Sequence, residues 1–292
     1  MTKEEFALSI RTDLALELLE RTPAPVQNGI AVQEYTQGAI QITEVHLTTP
    51  EAAQKIGKPC GTYLTLHLKA LGASSVPGHE EAETIAAQLK PLLPQQGTVL
   101  VVGLGNEHIT PDALGPLCID SILATRHLAE ADPAFAAFRS VAAISPGVMG
   151  QTGMEASAVV AAVCKDIHPS AVIVIDALAA CTLSRLGNTV QIANTGISPG
   201  AGVKNNRREL SEETLGVPVI SVGIPTVVDC STLLEELSEP QAEHTAMQGT
   251  EMVVTPRDID LIVEHGAKLL ALSINRALQP ELSLEEISYL IA

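Results

Sequence analysis

The chain has almost no aromatic residues: among 292 residues it contains no Trp, three Tyr and three Phe. Because 46% of the residues are nevertheless hydrophobic, the core must consist mainly of Ala, Val, Ile and Leu. Aliphatic strands of this kind are typical of parallel sheets that are covered by helices. The length allows one large domain or two smaller ones.

Positive charge and long apolar runs are also scarce. Seventeen Lys and Arg against 34 Asp and Glu give a formal net charge of −17, which would repel a phosphate backbone and argues against nucleic acid as a direct partner. No apolar run approaches the roughly 20 residues that span a bilayer, and residues 1–5 are too acidic for a secretory signal. We therefore expect a cytoplasmic protein with no membrane partner.

The five cysteines are odd in number and form no C-x-x-C pair. A disulfide framework and a structural zinc site are therefore poorly supported, and free thiols in a reducing compartment fit better. The eight histidines include no H-x-x-x-H pair, so the sequence does not favour a metal centre.

The hydrophobic pattern predicts a β-rich N-terminal part followed by alternating strands and helices. Alternating residues around a Gln37-Gly38 turn predict a hairpin over residues 30–35 and 40–45. The other predicted strands are residues 63–68, 99–104, 140–144, 171–175, 190–194 and 218–223. The predicted helices are residues 14–20, 80–93, 112–129, 155–167 and 256–277. The predicted fold class is α/β, a twisted and mostly parallel sheet with helices on both faces and an N-terminal β-hairpin elaboration, in a single domain.

Two aspartates follow the most apolar of these strands. Asp112 comes after the strand at residues 99–104, and Asp176 comes directly after the strand at residues 171–175. Open α/β sheets bind their ligands beyond the carboxyl ends of the strands. Two carboxylates that lie close together cannot both ionise comfortably, so one can act as base and the other as acid on a hydrolytic water. The alternative is that each aspartate only caps a helix that follows it.

The turn before Asp112 matches a dinucleotide fingerprint only in part. The G-x-G-x-x-G motif needs a third glycine, and here Gly103 and Gly105 are followed by His108 at that place. The Asp112 carboxylate would also repel a pyrophosphate. The pattern therefore predicts no dinucleotide cofactor.

Two glycine-rich loops follow predicted strands and precede helices or polar segments. One contains Gly147, Gly150 and Gly153, and the other contains Gly200 and Gly202. Backbone N–H groups at such glycines can bind an extended peptide or an oxyanion, which makes these glycines candidate substrate-binding residues. Ordinary tight turns would show the same pattern.

Several motifs, in their order along the chain, resemble those of the germination protease family. They are S-I-R-T-D-L-A from residue 9, V-V-G-L-G-N from residue 101, T-P-D-A-L-G-P from residue 110, P-G-V-M-G from residue 146, I-D-A-L-A-A from residue 175 and G-I-P-T-V-V-D from residue 223. These matches extend over nearly the whole chain. One departure is the interval at residues 230–252, which is shorter than the charged insertion of other family members.

The resemblance implies an endopeptidase that starts the degradation of small acid-soluble spore proteins during spore germination. It also implies an atypical aspartic peptidase without a metal cofactor, a fold like that of the hydrogenase-maturation peptidases, a homotetramer, and a location in the cytoplasm of the developing spore and the core of the germinating spore. The catalytic aspartates of the family fall on Asp112 and Asp176.

Members of this family are also made as zymogens that remove their own N-terminal propeptide. The family cuts after an acidic residue and before a hydrophobic one, which implies self-cleavage between Asp13 and Leu14. Residues 1–13 would then be the propeptide, and residues 14–292 the peptidase domain.

Two other functions remain open from the sequence. A metal-dependent maturation peptidase of the same fold would lose its activity in the presence of a chelator. A non-catalytic binding protein that retains the fold would be indifferent to the exchange of either aspartate for asparagine.

Overall fold

A computed structural model of the chain describes residues 12–22, 28–72, 78–131, 135, 137–198, 208–230, 232–233 and 252–292. Most of the predicted propeptide, residues 1–11, lies outside the described residues, as do the loop glycines Gly200 and Gly202. Within the described part of the chain, no helix has both the length and the apolar character that crossing a membrane requires.

Nine described strands form one mixed sheet. They are β1 (Ile30–Gln37), β2 (Ile40–Leu47), β3 (Gly61–His67), β4 (Val99–Gly103), β5 (Val141–Ile144), β6 (Ala171–Ala180), β7 (Thr189–Ala193), β8 (Val219–Asp229) and β9 (Val253–Val254). Their spatial order is β1-β2-β3-β7-β8-β6-β4-β5, and β9 pairs with β8. The strands β5, β4, β6 and β8 pair in parallel, whereas all other described pairs are antiparallel.

The predicted α/β class and the N-terminal β-hairpin are confirmed, since β1 pairs with β2 in antiparallel register. The four parallel strands form one end of a larger sheet, with β5 at its edge, and β7, which runs antiparallel to β8, joins them to β3 and the hairpin. A parallel connection needs a long crossover, whereas β2 follows β1 directly through a tight turn.

The described part of the chain contains ten α-helices. They are α1 (Ala15–Arg21), α2 (Pro50–Ile56), α3 (His79–Leu89), α4 (Leu114–Ile119), α5 (Arg126–Ala131), α6 (Met149–Thr152), α7 (Ala156–Ile167), α8 (Glu212–Leu215), α9 (Ile259–Leu278) and α10 (Leu284–Leu290). The single helix predicted over residues 112–129 is wrong, because the chain leaves the helix after Ile119. There Asn275 of α9 accepts a hydrogen bond from the Leu123 N–H (2.9 Å) and donates one to the Ser121 carbonyl oxygen (2.8 Å).

Helices cover both faces of the sheet, and strand β6 shows how the two faces are divided. Ile173 and Ile175 belong to the core cluster that contains residues of α3, α4 and α9. Val172 and Val174 belong to the cluster on the opposite face, which α7 covers. Each fully buried aliphatic side chain of this kind contributes about 1.5–3 kcal/mol to folding. Because side chains alternate along a strand, Asp176 extends from the same face as Val174.

The strand predicted at residues 171–175 continues through Asp176 to Ala180, so the alternative of a helix that follows Asp176 directly is wrong. Alanine favours helices, but its propensity is a weak preference that tertiary pairing overrides. Here β6 pairs with β8 along this whole extension, with one register irregularity after Leu178.

The N-terminal helix α1 is attached to the end of β6 through the carboxylate of Glu17, which is fully buried. This carboxylate accepts hydrogen bonds from the Cys181 N–H (2.7 Å), the Thr182 N–H (3.2 Å) and the Thr182 hydroxyl (2.8 Å). The Thr12 hydroxyl also donates to it, and Arg185 Nε lies 3.4 Å away. These bonds fix the position of residues 12–14, which precede the helix.

Candidate active site

Asp176 lies in the middle of the central strand β6 and is 7% exposed. It pairs with Gly223 of β8, and Gly223 pairs with Gln191 of β7. Residues that pair directly across neighbouring strands extend from the same face of the sheet. The side chains of Asp176 and Gln191 therefore share one face and one row, and the strand between them contributes no side chain at Gly223.

Asp112 lies in a different setting, on the short 3-10 turn Thr110–Asp112 that follows β4. The Asn106 N–H donates to the Asp112 carboxylate at 2.9 Å and lies 3.1 Å from the Asp112 carbonyl oxygen. The helix that follows begins after Ala113, whose position as N-cap involves no side-chain hydrogen bond. Ala113, not Asp112, is thus the N-cap residue of this helix, and Asp176 is followed by further strand rather than by a helix.

Two contacts place the Asp112 turn against the sheet. The Thr226 hydroxyl of β8 donates to the Pro111 carbonyl oxygen at 2.7 Å. Gly105 has a φ of +119°, and a Cβ atom at this position would lie 1.9 Å from the Asp112 carbonyl oxygen. The turn contacts both β6, which carries Asp176, and β8. The Asp112 turn thus lies against β6 and β8, and Asp176 lies one position beyond Ile175, which pairs with the last residue of β4.

The first glycine loop lies beside the Asp112 turn, as the Gln151 side chain donates to Asn106 Oδ1 at 2.8 Å. Gly147 and Gly153 have φ values of +69° and +71°, and Gly153 ends the helix α6. Nothing lies within 4 Å of the position that a Cβ at Gly150 would take. The structure therefore brings this loop to the candidate site but also explains two of its glycines as turn residues.

The segment that contains the predicted cleavage bond lies along the far end of β6. The Asp13 N–H donates to the Ala179 carbonyl oxygen, and the Ala179 N–H donates to the Asp13 carboxylate, both at 2.8 Å. Leu14 is fully buried in a small apolar cluster with Ala180 and two other residues. The bond between Asp13 and Leu14 is thus held within the folded body. It lies beside Ala179, which comes three positions after Asp176 on β6.

A cavity beside Asp13 is lined by residues that the sequence did not single out, among them Lys58, Tyr63 and Gln191. Burial lowers the pKa of Lys58, and the nearby Asp13 carboxylate partly offsets that lowering. Burial also raises the pKa of Tyr63 to about 12. Gly223, which pairs with Asp176, lines the same cavity. The cavity therefore extends from the cleavage segment to the strand residue next to Asp176.

Neither metal ligands nor a reactive thiol stand out in this region. Across the residues that the structure describes, no three His, Cys, Asp or Glu side chains form a group that could hold a metal ion. Cys118 and Cys181 are both fully buried. Burial raises the pKa of both thiols, and the Glu17 carboxylate adds to this effect at Cys181. Thiols of this kind pack as small apolar groups and are poor nucleophiles.

Comparison with known proteins decides the family. A family model described as "Germination protease" matches residues 14–244. The chain belongs to the germination protease family. Among its relatives, the germination protease of Clostridium tetani is 41% identical over 97% of this chain and 100% of its own length. The germination protease of Caldanaerobacter subterraneus is 39% identical over 97% of this chain and 98% of its own.

Two further matches cover less of this chain. The germination protease of Priestia megaterium is 43% identical over 81% of this chain and 68% of its own length. Among solved structures, the [NiFe] hydrogenase maturation protease HycI from Thermococcus kodakarensis is 19% identical, with a TM-score of 0.37 over 66% of this chain and 99% of that chain.

The close approach of Gly105 to Asp112 leads to a prediction for this family member. We expect Gly105→Ala to slow peptide cleavage by about 10²-fold, because the new methyl group would displace the Asp112 turn by the order of 1 Å. Gly216→Ala is the matched control: Gly216 also has a positive φ, +75°, but nothing lies within 4 Å of a Cβ there. Cleavage rates and thermal unfolding of both variants check this, and equal rates would contradict it.

Proposed function

We propose that this chain is an endopeptidase of spore germination, made as a self-processing zymogen, which uses Asp112 and Asp176 as its catalytic pair. The proposal rests chiefly on the near full-length match to proteins named germination protease. The position of the Asp112 turn against the strand that carries Asp176 supports the choice of this pair. The chain needs no metal for the chemistry described next.

The catalytic step is the addition of a water molecule that lies between the two carboxylates. The ionised carboxylate takes a proton from the water, whose oxygen forms a bond with the carbonyl carbon of the substrate peptide, and the carbonyl electron pair moves to the oxygen. When the tetrahedral intermediate collapses, the C–N bond breaks and the protonated carboxyl group donates its proton to the leaving nitrogen. The products are a new carboxyl group and a new amine.

We further propose that the first substrate is the chain itself, at the bond between Asp13 and Leu14. Residues 1–13 are then a propeptide, and residues 14–292 form the peptidase domain. Two observations support this bond: Asp13 lines a cavity together with Lys58, and Leu14 occupies an apolar cluster.

After processing, the substrates are small acid-soluble spore proteins in the developing spore and in the core of the germinating spore, and the enzyme acts as a homotetramer. Because the net charge of −17 would repel a phosphate backbone, these substrates are recognised as peptides and not through bound nucleic acid. The first glycine loop, with Gly147, Gly150 and Gly153, would bind the extended peptide together with Gly200 and Gly202.

The test is to incubate the purified full chain and to follow its mass and its N-terminal sequence. We expect one early product that begins at Leu14, followed by cleavage of an added small acid-soluble spore protein but not of a folded control protein of similar size. A stable chain that leaves the spore protein intact would instead support the binding-protein alternative. Loss of activity with a chelator would support the metal-dependent maturation peptidase.

A further inference from the structure

Gln191 of β7 makes an unusual pair of contacts with the segment around the proposed cleavage bond. Its Nε2 donates to the Asp13 carbonyl oxygen at 2.9 Å, and its Oε1 accepts from the Ala15 N–H at 3.2 Å. Only this orientation of the amide satisfies both partners, because one is an acceptor and the other a donor. The Gln191 amide therefore spans Leu14 and is fixed at both ends.

The carbonyl group that Gln191 contacts is the one that water would attack. The Asp13 carbonyl carbon is bonded to the Leu14 nitrogen, so its oxygen becomes negatively charged when water adds. Gln191 is 7% exposed, and a hydrogen-bond donor in such a buried site is worth more to a developing charge than one in water. The donor is also in place before the reaction starts.

The sheet register relates this donor to the candidate aspartate. Gln191, Gly223 and Asp176 occupy one row across three neighbouring strands and extend from one face. Two strand spacings of about 4.8 Å place the Cα atoms of Gln191 and Asp176 about 10 Å apart. Gln191, Asp13 and Gly223 line one cavity, and Leu178 of β6 lies over Gly223 in its wall.

We propose that Gln191 is a further catalytic residue, whose side-chain N–H stabilises the oxyanion formed at the carbonyl group of the cleaved bond. This inference rests on the proposed self-cleavage between Asp13 and Leu14. The same donor serves spore-protein substrates after residues 1–13 have left, when the carbonyl of the residue before the cut takes the place of the Asp13 carbonyl.

The test uses Gln191→Glu, which preserves the shape and the acceptor for Ala15 but replaces the donor with a carboxylate at neutral pH. We expect self-processing of the full chain to slow by about 10²- to 10³-fold, the loss typical of a removed oxyanion donor. The rate relative to wild type should rise again as the pH falls through the pKa of the new Glu, since the protonated carboxyl group donates a hydrogen bond. The ordinary Glu pKa is about 4.3, and burial raises it.

A role that only positions the propeptide predicts a different result in a second assay. Each variant is incubated until it is fully processed, and its kcat and KM for a small acid-soluble spore protein are then measured. We expect kcat to fall by a factor similar to that of self-processing, with KM little changed, because Gln191 then acts on the transition state of an added substrate. A wild-type kcat in this assay, or a Gln191→Glu variant whose relative rate does not recover at low pH, would overturn the proposal.

Two controls keep the assays separable. The first control is Thr65→Val, which alters the residue that pairs with Gln191 on β3. Thr65 is 1% exposed, and its hydroxyl has no hydrogen-bond partner among the described residues. We expect this variant to show wild-type rates. The wild-type chain controls the proposed cleavage site. If its product does not begin at Leu14, that site is wrong, and the kcat for added spore protein alone decides whether Gln191 acts in catalysis.

Discussion

Asp176→Asn is expected to slow both self-processing and spore-protein cleavage by about 10²- to 10⁴-fold, the range typical of a lost general acid or base. Asparagine has nearly the same shape, but it can neither take a proton from water nor give one to a leaving nitrogen. Asp112→Asn is expected to cause a loss of similar size. The double variant should be little slower than either single variant, because residues that act as one unit do not contribute additively.

The measurement compares the rate of appearance of the Leu14 terminus and the kcat for a spore protein in each variant. Asp120→Asn is the matched control, since Asp120 follows α4, is exposed and lies outside the site. Thermal unfolding of every variant separates lost chemistry from lost structure. Wild-type rates in both single variants would show that another group activates the water.

The second large effect concerns stability. We expect Glu17→Ala to lower the free energy of unfolding by about 3–5 kcal/mol, the cost of breaking a buried ion pair from one side. The fully buried Glu17 carboxylate accepts from two backbone N–H groups, at residues 181 and 182, and pairs with Arg185. Its removal leaves these buried donors without their acceptor.

Glu20→Ala provides the comparison, because Glu20 pairs with the same Arg185 at 2.8 Å but its side chain is 51% exposed. An exposed pair contributes about 0–1 kcal/mol, so this variant should unfold nearly like wild type. Urea unfolding measures both losses. All samples have the same protein concentration, because the apparent stability of the proposed homotetramer depends on that concentration. Equal losses in the two variants would contradict the expectation that the buried contacts of Glu17 stabilise the fold more than the exposed ion pair of Glu20.

The fold was largely predictable because local patterns and tertiary pairing agree in most of the chain. The hairpin alternates cleanly around its turn, and its predicted strands correspond to β1 and β2. The end of β6 was not predictable, because residues 177–180 are Ala, Leu, Ala and Ala, which favour a helix when considered alone. The chain remains extended there only because β8, which is distant in sequence, pairs with it.

The two aspartates could be proposed as candidates from the sequence because each follows an apolar run, whereas Gln191 could not. It is a single polar residue in the strand T-V-Q-I-A and carries no motif. Its significance depends on contacts with residues 13 and 15, which lie more than 170 positions away in the sequence. The same is true of Lys58, which lies just after the end of α2 and lines the cavity together with residues that are distant in sequence.

The different attachment of the two aspartates has a consequence for how the pair moves. Asp176 belongs to a central strand, and backbone amides in such strands open only when much of the domain unfolds. Asp112 lies outside the strands, on a short turn that contacts at Asn106, Gly105 and Thr226 help to position against the sheet. For the proposed catalytic pair, we therefore expect fluctuation in the separation of the two carboxylates to come mainly from the Asp112 turn and less from the strand that carries Asp176.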